Sequence, residues 1–321
     1  MVTFAHLSDP HIAPVPTPTS AQLIGKRFFS HVSWRRKRAK IHRRDVLEAL
    51  GRDLTARRPE HVAVTGDLVN LSLPAEFAAA ADWLQTLGSP DQVSVVPGNH
   101  DALVRTRWNN SWAHWADHMT CDLADDTERP RTPAAFDAFP YARIRPPLAL
   151  VGLSSARPTP PFLAAGWIGK RQRAVLAQYL RRLRRAGLFR VVMVHHPLTV
   201  SRSAWRSGLW DAEPLRRTLV EAGAEVILHG HGHKFASTQI DTTDGPAPVI
   251  GVPSASALNT DTARLAHYHL YTVTRTNVGW RLDINARGYD RTSGEFVASG
   301  GRCFELDRDL PARPAQPVAA E

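Results

Sequence analysis

Five short apolar runs in this chain each break off at residues able to bind a metal, and this feature constrains the fold most tightly. VTFAHLS (2–8) leads into Asp9 and His11, and HVAVT (61–65) into Gly66 and Asp67. QVSVV (92–96) leads into Gly98, Asn99, His100 and Asp101, while RVVMVH (190–195) ends on His195 beside His196. EVILH (225–229) ends on His229, with His231 and His233 just beyond. Each run is short and mostly apolar, with β-branched residues, which predicts a strand. The stretches between them have helical spacing: 41–57 through Ile41, Val46, Leu47, Leu50 and Leu54, then 75–87, 169–186 before Gly187, and 212–222 before Gly223. Strands alternating with helices predict an α/β fold, and in such sheets ligands gather at the strand ends. Carboxylate, amide and imidazole groups are therefore expected to converge on one sheet edge.

The remaining segments are less regular. Residues 141–145 and 148–154 read as strands parted by Pro146 and Pro147, and Trp108, Trp112 and Trp115 predict a packed aromatic helix face over about 105–118. FASTQID, PVIGVP, HYHLYTV, WRLDINA and EFVAS lack a helical period and predict antiparallel strands. A tail from about Asp307, carrying Pro311, Pro314 and Pro317, reads as unstructured, which leaves 1–306 as one domain. No apolar run approaches the roughly 20 residues that span a bilayer, and the N-terminus lacks a basic leader. With only Cys121 and Cys303 as cysteines, a reducing, cytoplasmic setting is expected. A net charge of +10 favours anionic partners. Nothing in the sequence fixes an oligomeric state.

The donor set has its own chemistry. Mixed carboxylate, imidazole and amide ligands suit manganese, iron(II), cobalt or zinc better than calcium, which prefers all-oxygen shells. A pair of such ions, which only the family resemblance of the motif blocks implies, would with two aspartates and a bridging hydroxide leave a slightly positive centre that attracts a phosphoester. It would make hydroxide available at neutral pH and would need no nucleophilic side chain. Gly66, Gly98 and Gly230 are expected to let the chain turn sharply beside the ligands.

The ordered blocks SDPH (8–11), GDLVN (66–70), GNHD (98–101), VHHP (194–197) and GHGH (230–233) resemble those of the calcineurin-like metallophosphoesterase superfamily. The resemblance implies a four-layer α-β-β-α sandwich of two mixed β-sheets. It implies that Asp9, His11, Asp67 and His233 hold one divalent metal ion, and that Asn99, His195, His231 and the bridging Asp67 hold a second. His100 matches the family's non-ligand histidine, which contacts phosphate and serves as the catalytic acid. Asp101, His196, His229 and Asp211 are candidates for support behind these ligands. His196 is also an alternative ligand to His195, His229 an alternative core residue, and Asp211 an alternative N-cap for the helix that follows.

Residues 18–40, PTSAQLIGKRFFSHVSWRRKRAK, are not required by that chemistry. Their interleaved aromatic and basic residues fit a packed loop, contact with an anionic membrane or lipid substrate, a cover over the metal site that grips a large phosphorylated substrate, or contact with nucleic acid. A second basic cluster, Arg181, Arg182, Arg184 and Arg185, reads as a solvated helix face. The leading expectation is a dinuclear metal phosphodiesterase acting on a cyclic nucleotide or other small phosphodiester. The alternatives are a peripheral membrane pyrophosphohydrolase acting on a nucleotide-linked lipid or glycan, and a non-catalytic binding module.

Overall fold

In the computed structural model, which describes residues 1–123, 131–136, 138–198 and 204–310, the expected alternation is present. The first half holds β1 (Val2–Leu7), α1 (Lys26–Arg36), α2 (Arg44–Arg57), β2 (His61–Val64), α3 (Pro74–Leu87), β3 (Val93–Val95), β4 (Tyr141–Arg145) and β5 (Leu148–Gly152). The second holds α4 (Gly169–Arg185), β6 (Phe189–Met193), α5 (Ala204–Ser207), α6 (Ala212–Ala222) and β7 (Val226–His229). The strands β8 (Ala236–Thr242), β9 (Gly245–Gly251), β10 (His267–Arg275), β11 (Gly279–Asp290) and β12 (Glu295–Asp307) close the chain.

Two mixed six-stranded sheets result, in the orders β12-β11-β10-β1-β2-β3 and β4-β5-β6-β7-β9-β8. Helices α2 and α3 flank the first and α4 and α6 the second, and one apolar core joins both sheets. Leu47, Leu50 and Leu54 of α2 and Leu176, Leu180 and Leu183 of α4 face inward, as their spacing predicts. Arg181, Arg182, Arg184 and Arg185 lie on the exposed face of α4.

The parallel strands β1, β2 and β3 end side by side, as do β6 and β7 in the other sheet. Pairing continues past the strand ends: Asp9 N donates to Gly66 O at 2.9 Å, His11 N to Asp67 O at 3.0 Å, and Gly230 N to His195 O at 3.0 Å. This continued ladder fixes where the polar residues emerge.

Four expectations need correction. The Trp108–Met119 region forms two 3₁₀ segments, not one helical face, with a kink at Trp115 (φ −128°, ψ 25°). Its role is nevertheless packing: Trp115 is buried against Phe77 at 5.3 Å. The late strands are not uniformly antiparallel, because β9 runs parallel to β7. Residues 26–36 of the insertion are helical, and Trp34 is buried. The tail boundary also moves, since Arg308 is buried against Glu225 and Leu310 packs on the core. The expected unstructured residues 311–321 lie outside the described residues.

Candidate metal centre

The strand ends deliver Asp9, His11, Asp67, Asn99, His195, His231 and His233 into one cluster, in two overlapping sets. In the first, Asp9 Oδ1 lies 3.1 Å from His233 Nε2 and 3.9 Å from His11 Nε2, and the two imidazole nitrogens are 3.4 Å apart. In the second, His195 Nε2 lies 3.2 Å from Asn99 Oδ1 and 3.3 Å from His231 Nδ1, with His231 Nδ1 2.8 Å from Asn99 Oδ1. Asp67 Oδ2 belongs to both, 3.8 Å from His11 Nε2 and 3.4 Å from His195 Nε2.

Backbone carbonyls set the imidazole orientations. His195 Nδ1 donates to Thr65 O at 2.7 Å and His11 Nδ1 faces Val69 O at 3.3 Å, so the Nε2 lone pairs point toward Asp67. Asp67 Oδ1 accepts from His100 N at 2.7 Å, which leaves Oδ2 for the cluster. Asp9 Oδ2 accepts from Ser8 Oγ at 2.6 Å and His231 N at 3.0 Å, whereas Asp9 Oδ1 is buried and receives no hydrogen bond. Lone pairs of carboxylate, amide and imidazole facing one another at 3–4 Å repel unless a cation or proton lies among them. The residues therefore fit divalent metal ions, and the groups Asp67, His195, His231 and His11, Asp67, His100 each bring donor atoms within 4.8 Å of one another.

The titration of these groups reflects the same field. Burial works against charge on Asp67, but His195 and His100 outweigh it and hold its carboxyl well below the usual range. Burial also opposes charge on His195, yet the charge and hydrogen bond of Asp67, with help from Asp9, hold its imidazole up at about 9.

Backbone conformation is unusual here. Asp9, His11, Asp67, His231 and His233 all have positive φ, between 40° and 65°. Side chains rarely adopt this region, Asp and His being among the more tolerant, and such strain concentrates at functional sites. It corrects the expectation for the glycines, because most of the turning is done by the ligand-type residues themselves. Gly66 alone of the three has positive φ (91°), and a Cβ there would lie 2.6 Å from Gly98 N. Gly98 and Gly230 serve close approach: a Cβ on Gly98 would collide with the Asp67 carboxylate, and one on Gly230 with Ser8 Oγ.

The supporting candidates separate clearly. Asp101 accepts from Gly98 N at 2.8 Å, Asp67 N at 2.9 Å and Val69 N at 3.0 Å, tying two ligand-bearing loops together. Burial and the Asp67 charge push its carboxyl up to about 7. His196 Nδ1 pairs with Ser155 Oγ at 2.7 Å and its Nε2 with Ala164 O at 2.9 Å, so both nitrogens are occupied and the alternative of His196 as ligand fails. Its ring packs on His231 at 4.5 Å. His229 bonds Gly230 O at 3.1 Å and packs on Gly251, and so touches the cluster only through the backbone. Asp211 precedes α6 but does not cap it. Its carboxylate instead accepts from Ile168 N at 2.9 Å and Gly169 N at 2.8 Å at the start of α4 and pairs with Arg173, away from the cluster.

Two residues at the cluster were missed by sequence reasoning. His42 packs on His11 at 4.4 Å, bonds Ser256 Oγ at 2.8 Å, and with His11 and His233 forms a third group of converging nitrogens. Arg38 reaches His100. The segment 18–40 as a whole is a candidate cover for the site, but within its basic run and just after it no local signal singles out Arg38 or His42.

The chain matches the family model of the calcineurin-like phosphoesterases over residues 2–235 and belongs to that family. Its fold is similar to the crystal structure of a dimetal phosphatase from Danio rerio (TM-score 0.52, 14% identity, covering 92% of this chain and 98% of that one). It is also similar to the purple acid phosphatase PPD1 from yellow lupin (TM-score 0.56, 12% identity, 94% and 53%). A third similar structure is the NAD nucleotidase of Haemophilus influenzae (TM-score 0.50, 12% identity, 94% and 54%). The chain thus spans about half the length of the lupin and Haemophilus proteins. No curated protein sequence matches it.

Proposed function

We propose that the protein is a dinuclear metal-dependent phosphodiesterase acting on a small phosphodiester. The observation that carries this reading is Asp67 Oδ2, shared between two sets of buried and half-buried donors. Asp9, His11, Asp67 and His233 would hold one ion, and Asp67, Asn99, His195 and His231 the other. Two divalent ions would supply Lewis-acid charge for the phosphoryl group and an activated water. The chain's own part is orientation. Thr65 O and Val69 O fix imidazole direction, and Asp101 fixes the two loops that carry Asp67 and Asn99. His100 stands beside the first set, its ring 4.9 Å from that of His11, with Nδ1 anchored on Asn70 O at 2.7 Å and Nε2 met by Arg38 Nη1 at 2.8 Å. The reading is supported by family membership and by the similarity to a dimetal phosphatase. Hydrolysis of bis(4-nitrophenyl) phosphate stimulated by manganese is expected, with bound metal near two ions per chain by elemental analysis. Asp67→Ala and Asn99→Ala should each lower the rate at least ~10³-fold and lower metal content. Activity that persists in both variants overturns the assignment.

A second reading, action at an anionic membrane surface, is favoured by the exposed face of the insertion. Ile24, Phe28 and Phe29 are exposed on it, Phe29 meets exposed Phe162 at 5.0 Å, and Arg35, Arg36 and Lys37 follow. Among the described residues no helix is long and apolar enough to cross a membrane, so contact would be peripheral. Phe28→Ser with Phe29→Ser should cut sedimentation with phosphatidylglycerol vesicles about tenfold or more. Unchanged sedimentation sinks this reading.

A further inference from the structure

Arg38 follows α1 in the insertion, outside all five motif blocks, yet its guanidinium lies beside the cluster. One Nη1–H donates to His100 Nε2 at 2.8 Å. Because His100 Nδ1 is committed to Asn70 O, that contact joins a cation to the lone pair of an uncharged imidazole. Arg38 Nε is fully buried and has no hydrogen-bond partner. Among the described residues no carboxylate lies within ion-pair distance of Arg38. The two acidic groups whose charge it feels, Asp67 and Glu76, are engaged elsewhere, Asp67 with His100 N and Glu76 with the amides of Asn70, Leu71 and Leu73. The side chain is nevertheless held in place: the guanidinium lies 5.8 Å from the ring of buried Trp34, which stacks on His42.

A guanidinium with an orphaned N–H and no counter-ion, beside an expected dication site, is costly unless an anion completes it. The residue is also only partly covered, so an edge of it stays open to a ligand. Its planar fork matches two oxygens of one phosphoryl group.

We propose that Arg38 is a substrate-positioning residue that takes the non-bridging oxygens of the scissile phosphoryl group, exchanging its contact with His100 for one with the anion. The exchange uncovers the Nε2 lone pair of His100 toward the site. Helix α1 is the arm that delivers it, anchored by Lys26 Nζ to Thr159 Oγ1 (2.6 Å) and Leu163 O (2.7 Å) on one side and by Arg27 to Leu71 O (3.0 Å) and Ser72 O (2.6 Å) on the other. The catalytic consequence rests on the proposed phosphodiesterase reading; the anion site does not.

The test is calorimetric titration of the manganese-loaded protein with inorganic phosphate, alongside steady-state kinetics on bis(4-nitrophenyl) phosphate. Arg38→Ala should weaken phosphate about 30-fold, the factor carried by a charge-assisted hydrogen bond. Metal content should not change, KM should rise more than kcat falls, and Arg38→Lys should recover part of the phosphate affinity. Unaltered phosphate affinity in Arg38→Ala, or wild-type protein that binds no phosphate, overturns the proposal. Arg38-dependent phosphate binding by a protein that hydrolyses no phosphoester would uphold the anion site and sink the hydrolase reading. Normal hydrolysis with unaltered phosphate affinity would do the reverse.

Discussion

At the scale of single residues, the candidate ligands combine two demands that conflict: they must supply donor atoms, and five of them must also turn the chain with positive φ. A glycine would relieve the backbone but carry no donor. This gives a prediction that isolates strain from chemistry. His233→Gly and His233→Ala both delete the imidazole, so their difference reports φ, which is 49° at this position. The glycine variant should be the more stable by about 1 kcal/mol in metal-stripped protein, as judged by urea unfolding. His195, which has no positive φ, should show the opposite order, alanine above glycine by about 0.5–1 kcal/mol. Alanine as stable as glycine, or more so, at position 233 would show that backbone strain is not stored in the His233 turn. The convergence of these side chains was legible in sequence because each lies at or just beyond the end of an apolar run. Their left-handed backbone was not, because tertiary constraint holds it there and Asp and His occur widely without it.

At the scale of elements, the sequence exposes what is local and conceals what depends on partners. Helices α2 and α4 are visible because their leucines recur at helical spacing and end up on one buried face. Helix α1 lacks such a stripe: it follows Gly25, which offers no side-chain cap, and within it only Trp34 is buried. It is held by Lys26 and Arg27 reaching loops more than 40 residues away, which a local pattern does not reveal. Residues Arg38 and His42 enter the site for the same reason, riding on that anchored segment. Strand β9 is visible as a strand, but its parallel partner β7 lies across a reversal through β8 that periodicity alone does not order. Beyond β12, a proline-rich composition masks an ordered Arg308, whose guanidinium completes a buried network with Arg190, Glu225 and Asp244.

At the scale of the whole molecule, the two sheets each contribute half of the candidate centre. Asp9, Asp67 and Asn99 come from one and His195, His231 and His233 from the other, so bound cations would tie the sheets together and raise stability by mass action. The same architecture sets a weakness in acid. His61 in β2 is buried and bonded to Ser94 Oγ at 2.8 Å, and burial, with Arg145 and Arg143 nearby, pushes its pKa down to about 3. Burial pushes His269 in β10 down to about 3 as well. An unfolded chain protonates both near pH 6.5, whereas the folded chain keeps them neutral. Their contribution is therefore complete above about pH 6.5 and is lost progressively as pH falls toward about 3. Within that window each histidine should add a slope of about 1.4 kcal/mol per pH unit, so that at pH 5 the pair costs up to about 4 kcal/mol relative to neutral pH. Urea unfolding of metal-stripped protein between pH 7.5 and 5 checks this, with His61→Gln keeping a hydrogen-bonding group near Ser94 and removing one proton's share of the slope. A slope unaltered by His61→Gln would mean that buried His61 does not contribute to the acid sensitivity.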